Sequence, residues 1–140
     1  MSIFNTTYPD PKVTKAINSL VGTPYSLCER LKMNGVGSRR MIVENKSDNF
    51  NPYLLADHYL TYANIELRRN GIIIHIHKKL ENYAWVLPFD RFELSRKDKN
   101  LIIEINKEFL EFRDVYKFNE KFLERIKKKL LVKSQSFSGS

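Results

Sequence analysis

Asn70-Gly71 stands between two runs rich in β-forming residues, and it constrains this chain more than any other local feature. Both central positions of a type I′ turn need positive φ, which Asn and Gly tolerate, so the pair predicts a two-residue hairpin. Its register sets Leu67 opposite Ile74 and Ile65 opposite Ile76 on one face, with Arg68 opposite Ile73 and Glu66 opposite His75 on the other. After Lys79 a four-residue loop, 80–83, sets Ile74 against Phe89 and Ile76 against Leu87, turning Trp85, Leu87 and Phe89 inward. A three-residue loop would set His75 against Leu87 and send the apolar set to solvent. The charged segment 95–100 reads as a turn. Beyond it, 101–105 folds back through Asn106-Lys107 onto 108–112, so Leu101, Ile103, Leu110 and Phe112 share a dry face opposite Ile102, Glu104, Phe109 and Glu111.

The flanks of this sheet read as helical. Asp10-Pro11 is an N-cap with proline at the first helical position, followed by Val13, Ala16, Ile17, Leu20 and Val21 at helical spacing and a stop at Gly22. Thr23-Pro24 repeats the start signal, and Leu27, Cys28 and Leu31 form a stripe that ends at Asn34-Gly35. Residues 10–33 therefore predict a helical hairpin. A short strand follows at 39–44, and Asn51-Pro52 predicts a helical turn through Tyr53, Leu54 and Leu55. Asn119 reads as the N-cap of a closing helix, with Phe118 stapled onto Leu123 and an apolar stripe of Phe122, Leu123, Ile126 and Leu130. The serine-rich stretch 134–140 predicts a flexible tail.

With 140 residues and 42% hydrophobic content, one core is affordable and a second is not, which predicts a single domain over 1–140. No run reaches the roughly 20 apolar residues of a membrane span, and the opening residues lack the pattern of a signal peptide, so a cytoplasmic protein is expected. Cys28 is the sole cysteine; an internal disulfide is excluded and a small buried apolar role is expected. The formal charge is +8. Residues 117–133 carry seven Lys or Arg against Glu120 and Glu124, concentrating the excess at the C-terminal end.

From Arg39 to Val132 the order is strand, Asn-Gly hairpin, further strands, a second hairpin and a closing amphipathic helix. Within it lies Trp85-Val86-Leu87-Pro88-Phe89-Asp90-Arg91-Phe92. This order and this stretch resemble bacterial pleckstrin-homology-like domains. The resemblance, which covers 39–132, implies an α+β fold: a bent antiparallel sheet of five to seven strands closed by a C-terminal helix, here with the hairpin 10–33 packed on it. It also implies an interaction module without shared catalytic residues. Members that bind inositol phosphates use closely spaced Lys and Arg around the first hairpin. Here Arg68-Arg69-Asn70-Gly71 has no lysine series and a tight turn, so a lipid headgroup is not the expected ligand.

Side-chain chemistry gives no complete catalytic set. His75 and His77, two apart on a strand, share a face, but a zinc site needs three or four ligands and the remaining histidine, His58, lies apart beside Asp57. The reading without a metal pairs His75 with Glu66 across the strands. Neither Cys28 nor any serine sits in a nucleophile turn, and Gly35 and Gly37 lack the lysine of a phosphate loop. No cofactor is expected. Lys127, Lys128 and Lys129 form the densest basic patch, which either binds nucleic acid or solubilises the helix and complements its dipole. The reading adopted is a non-catalytic protein-interaction domain, by partner binding or self-association, with candidate binding residues Arg68, Arg69, His75, His77, Lys127, Lys128 and Lys129. A basic nucleic-acid-binding domain is the alternative.

Overall fold

The computed structural model describes residues 2–56, 59–113 and 117–138, with backbone alone for 117–118 and 133–138. Eight strands form one open antiparallel sheet: β1 (Ile3–Asn5), β2 (Met41–Lys46), β3 (Tyr62–Arg68), β4 (Gly71–Lys78), β5 (Glu81–Pro88), β6 (Glu93–Lys97), β7 (Asn100–Ile105) and β8 (Glu108–Arg113). Their order across the sheet is β1-β5-β4-β3-β2-β8-β7-β6. The helices are α1 (Pro11–Val21), α2 (Leu27–Lys32) and α3 (Lys117–Ser138), and a 3-10 helix spans Asp48–Tyr53. The α+β class and the antiparallel sheet stand as read from sequence. The strand count exceeds the expected five to seven, and the sheet is open rather than closed.

The additional strands arise at both edges. Residues 2–6 were not read as a strand, yet they pair along β5, from Val86 N–H to Ser2 O at 2.9 Å to Thr6 N–H to Asn82 O at 2.8 Å. Segment 95–100, expected as a turn, is mostly strand. Only Asp98 and Lys99 turn, with Asp98 at φ 57°, and Lys97 pairs with Asn100. The turn chemistry was diluted by charged residues that an edge strand carries on its solvated side.

Both central hairpins keep the expected faces but not the expected register. Leu67 pairs with Ile72 and Ile65 with Ile74, two positions from the predicted partners, because the loop is Arg69 and Asn70 rather than Asn70 and Gly71. Neither Asn70 nor Gly71 has positive φ. Asn70 is held instead from outside the hairpin: its N–H donates to Val21 O at 2.9 Å, and its C=O accepts from Phe89 N–H at 3.0 Å. Glycine at 71 answers to crowding. A Cβ there would lie 2.3 Å from Leu87 O, 2.6 Å from Val21 Cγ1 and 2.9 Å from Pro88 Cα. In the next hairpin Ile74 pairs with Trp85 and Ile76 with Tyr83, a shift of four, because Lys79 takes φ 55° and closes a two-residue turn with Leu80. Even-numbered shifts preserve which face each side chain occupies.

The main core lies on one side of the sheet. Ile65, Leu67, Ile72, Ile74, Ile76, Leu87, Leu101, Ile103, Leu110 and Phe112 are fully buried there, and Phe122, Leu123 and Ile126 of α3 pack against them. Each such side chain contributes about 1.5–3 kcal/mol. The 3-10 helix adds Phe50, whose ring meets Trp85 edge-on with centroids 4.7 Å apart. That helix begins after Ser47, four residues before the Asn51-Pro52 start read from sequence. β2 pairs with β3 through Met41 and Ile42 and with β8 from Ile42 to Lys46, with a register shift at Val43/Asn45, and so joins a four-strand and a three-strand meander.

On the opposite side α1 covers β4 and β5, burying Ile17 and Val21 against Ile73, Ala84 and Val86. Asp10 caps it through Lys12 N–H at 2.9 Å, and Gly22, at φ 86°, ends it as expected. The second half of the predicted helical hairpin differs. α2 starts at Ser26, not Thr23-Pro24, through a capping box with Glu29. It buries no residue: Leu27 and Leu31 are 65% and 71% exposed, and Cys28, expected in the core, is exposed. Asn119 lies inside α3, which begins at Lys117, and its Oδ1 accepts from Arg39 N–H at 2.9 Å rather than capping the helix. The Phe118 staple lies outside the described side chains. Helical backbone continues through 134–138, within the stretch read as a flexible tail; Gly139 and Ser140 lie outside the described residues.

Candidate interaction surface

The β3–β4 hairpin carries four of the predicted binding residues on the side of the sheet that α1 covers, or at the tip beside it. Arg68 is buried against α1, where its Nη1 donates to Asn18 Oδ1 and Gly22 O, both at 2.9 Å, while its Nε meets Glu66 Oε2. Glu66 Oε1 in turn meets His75 Nε2 at 2.7 Å. The Glu66–His75 contact expected from sequence is present, but it runs diagonally, since the ladder partner of His75 is Asn64. Burial pushes the Glu66 carboxyl up, yet the bonds from His75 and Arg68 outweigh it and hold the pKa below its ordinary value.

His77 belongs to a separate polar group. Its Nδ1 faces Asn82 Oδ1 at 2.9 Å and its Nε2 faces Asn64 Oδ1 at 2.8 Å. Thr7 extends this group from the N-terminal segment, accepting from Asn82 N–H at 3.0 Å. Both histidines are half-buried and engaged, and among the described residues no cluster of three or more His, Cys, Asp or Glu side chains has the arrangement of a metal site. His58 and Asp57 lie outside the described residues.

Arg69 points the other way, to α2. It grips Glu29 with both terminal nitrogens, at 2.9 and 2.6 Å, and its guanidinium lies 4.8 Å from the centre of the Tyr25 ring. The Arg69 hydrogen bonds, with the Ser26 N–H behind them, pull the Glu29 pKa down to about 2, and the same pair raises that of Arg69. Both arginines of the hairpin are thus occupied within the chain, which leaves neither as an unpaired cation at the tip. Asn18, Glu29 and Tyr25 were missed as their partners. Glu29 was legible: Ser26-x-x-Glu29 is a capping-box signature. Asn18 carries no local signal, because its role depends on how α1 lies across the sheet.

Lys127, Lys128 and Lys129 sit on α3, which packs on the other side of the sheet, so the structure does not bring them together with the histidines. Lys127 and Lys128 are exposed, and Lys129 is half-buried. The aromatic rings Phe50, Trp85, Phe89, Phe92, Phe112 and Phe122 are all in the core.

The free β6 edge is a feature that sequence reading did not locate. β6 ends the sheet and pairs with β7. Its closing pair, Lys97 with Asn100, exchanges both backbone bonds. By antiparallel alternation, Leu94 and Arg96 turn their N–H and C=O groups away from β7. Arg96 also reaches α3, donating from Nη2 to Glu120 Oε1, which sets the first turns of that helix alongside the edge.

Among the described residues, no helix is long and apolar enough to cross a membrane. No family model, no curated protein and no solved structure matches the chain.

Proposed function

We propose that this chain is a non-catalytic protein-interaction domain of pleckstrin-homology-like architecture, and that it takes an extended segment of a partner protein along β6. The resemblance is supported by the succession of a four-strand meander, a three-strand meander and a helix laid over the core. The observation that carries the binding reading is the β6 edge itself: Leu94 and Arg96 present backbone donors and acceptors outward, with α3 alongside to receive side chains. An added strand would satisfy those groups in register, and alternate side chains of the ligand would contact α3. The opposite edge is less suited, since β1 spans only Ile3–Asn5.

Peptides selected from a displayed library against the intact protein test this reading. Hydrogen exchange on a peptide complex should slow at the Leu94 and Arg96 amides and leave the β3–β4 hairpin unchanged. Failure of any peptide to enrich, or protection located away from β6, would refute it.

A further inference from the structure

On the face of β6 turned away from the core, opposite charges stand at the two ends of the strand. Glu93, Ser95 and Lys97 are exposed on that face, while Leu94 and Arg96 turn to the other, where Leu94 packs on the core and Arg96 holds Glu120. The ladder partner of Glu93 in β7 is Glu104, itself exposed, so a like charge stands opposite it. That of Lys97 is Asn100, which offers no charge. Neither Glu93 nor Lys97 forms an ion pair among the described residues.

The strand carries little to guard it against pairing. Edge strands are protected by bulges or prolines, and β6 has neither: its register with β7 is regular and its sequence is Glu-Leu-Ser-Arg-Lys. The charge on its core side, Arg96, is neutralised by Glu120. Because Leu94 and Arg96 turn their backbone groups outward, a two-fold pairing of β6 with β6 of a second copy must place its axis at a residue, not between residues. An axis at Glu93, Arg96 or Lys97 sets that charge against its own copy, and an axis at Leu94 sets Glu93 against Ser95. An axis at Ser95 pairs the whole strand and puts Glu93 of each copy opposite Lys97 of the other, with Leu94 opposite Arg96.

We infer that two copies of this chain join β6 to β6, antiparallel, about a two-fold axis at Ser95. Leu94 of one copy and Arg96 of the other exchange both backbone hydrogen bonds, and the axis repeats the exchange, so the outward groups of both strands are satisfied. Each Glu93 gains the cation that its own sheet lacks, and each Lys97 gains an anion. The pairing rests on the proposed opening of β6 to an added strand, and here the strand is the second copy's own. A segment of another protein must displace that copy to take the edge. With five residues a side, the contact is far smaller than a permanent dimer's interface, so the pair separates on dilution.

Sedimentation of the intact protein over a range of concentrations tests the pairing. A monomer–dimer equilibrium is expected, with the Leu94 and Arg96 amides exchanging more slowly as concentration rises. Glu93→Lys sets like charges opposite each other on both sides of the axis and should weaken association about tenfold or more, and Lys97→Glu should do the same. Mixed in equal amounts, the two variants should associate again as a heterodimer, because every end then meets its opposite charge. The protein carrying both changes should dimerise alone. Both positions are exposed, so the variants keep the fold, which circular dichroism checks. A monomer at every concentration, variants that associate like the parent, or folded variants that stay apart on mixing would each overturn the pairing. A monomer that still protects Leu94 and Arg96 in a peptide complex would overturn the pairing and leave β6 as a peptide edge; a dimer with the expected charge dependence that enriches no peptide would do the reverse.

Discussion

Gly71→Ala tests the claim that crowding, not left-handed backbone, demands glycine in the first hairpin. The added methyl would meet Leu87 O at 2.3 Å, Val21 Cγ1 at 2.6 Å and Pro88 Cα at 2.9 Å, and two of those atoms belong to backbone. At Leu87 and Pro88, β5 is paired with β4, so its backbone cannot retreat there without breaking ladder bonds. Val21 is fully buried, and its carbonyl accepts from Asn70, so α1 must lift to yield. Overpacking of this kind costs about 1–3 kcal/mol. With three contacts to relieve and rigid neighbours, the upper value of ~3 kcal/mol is expected, equivalent to about 10 °C in Tm. Urea unfolding followed by Trp85 fluorescence measures it, since that sole tryptophan is 1% exposed in the fold. Gly71→Asn separates the two explanations. Asparagine accepts positive φ and would be tolerated in a type I′ turn, but it should fail here at least as badly as alanine. Gly35→Ala is the converse control: φ is 93° and nothing lies within 4 Å of the added Cβ, so only the backbone penalty of about 1 kcal/mol applies. A Gly71→Ala protein within 1 kcal/mol of the parent, or a stable Gly71→Asn protein, would refute the reasoning.

Two further outcomes follow from the hairpin's partners. Arg68→Met leaves Glu66 half-buried with His75 alone and strips the donor from Asn18 Oδ1 and Gly22 O; a loss of about 3 kcal/mol is expected by urea unfolding. Carbon-detected titration of Glu29 should give a midpoint near 2, and Arg69→Ala should return it toward the ordinary value of 4.5. Because the folded pKa is depressed, this contact favours docked α2 fully above pH 4.5 and is lost as pH falls through 2.

Sheet class, hairpin parity and the closing helix were legible because they depend on neighbours in sequence. Side chains alternate faces with a period of two, so Leu67, Ile72 and Trp85 had to share a side wherever the turns fell within an even shift. The Asp10-Pro11 start and Gly22 stop were likewise local. The polar set was legible only in part: the Glu66–His75 contact followed from hairpin parity, while Asn18 and Glu29, the partners of the two arginines, lie 50 and 40 positions away, and Thr7, which joins Asn82, lies 75 away.

Register, by contrast, was set by contacts across the fold. Asn70 sits in its turn because Val21 and Phe89 hold it, and Gly71 is required because α1 presses on β5, facts absent from any window around residue 70. Cys28, Leu27 and Leu31 show the same limit in reverse: an apolar stripe at helical spacing marks a helix, but whether that stripe meets a core depends on what stands opposite. Local chemistry chose which elements form and which way their side chains face. Long-range packing chose how far each strand slid against its neighbour and which apolar residues were left in water, because burial is a property of two surfaces and a sequence segment supplies one.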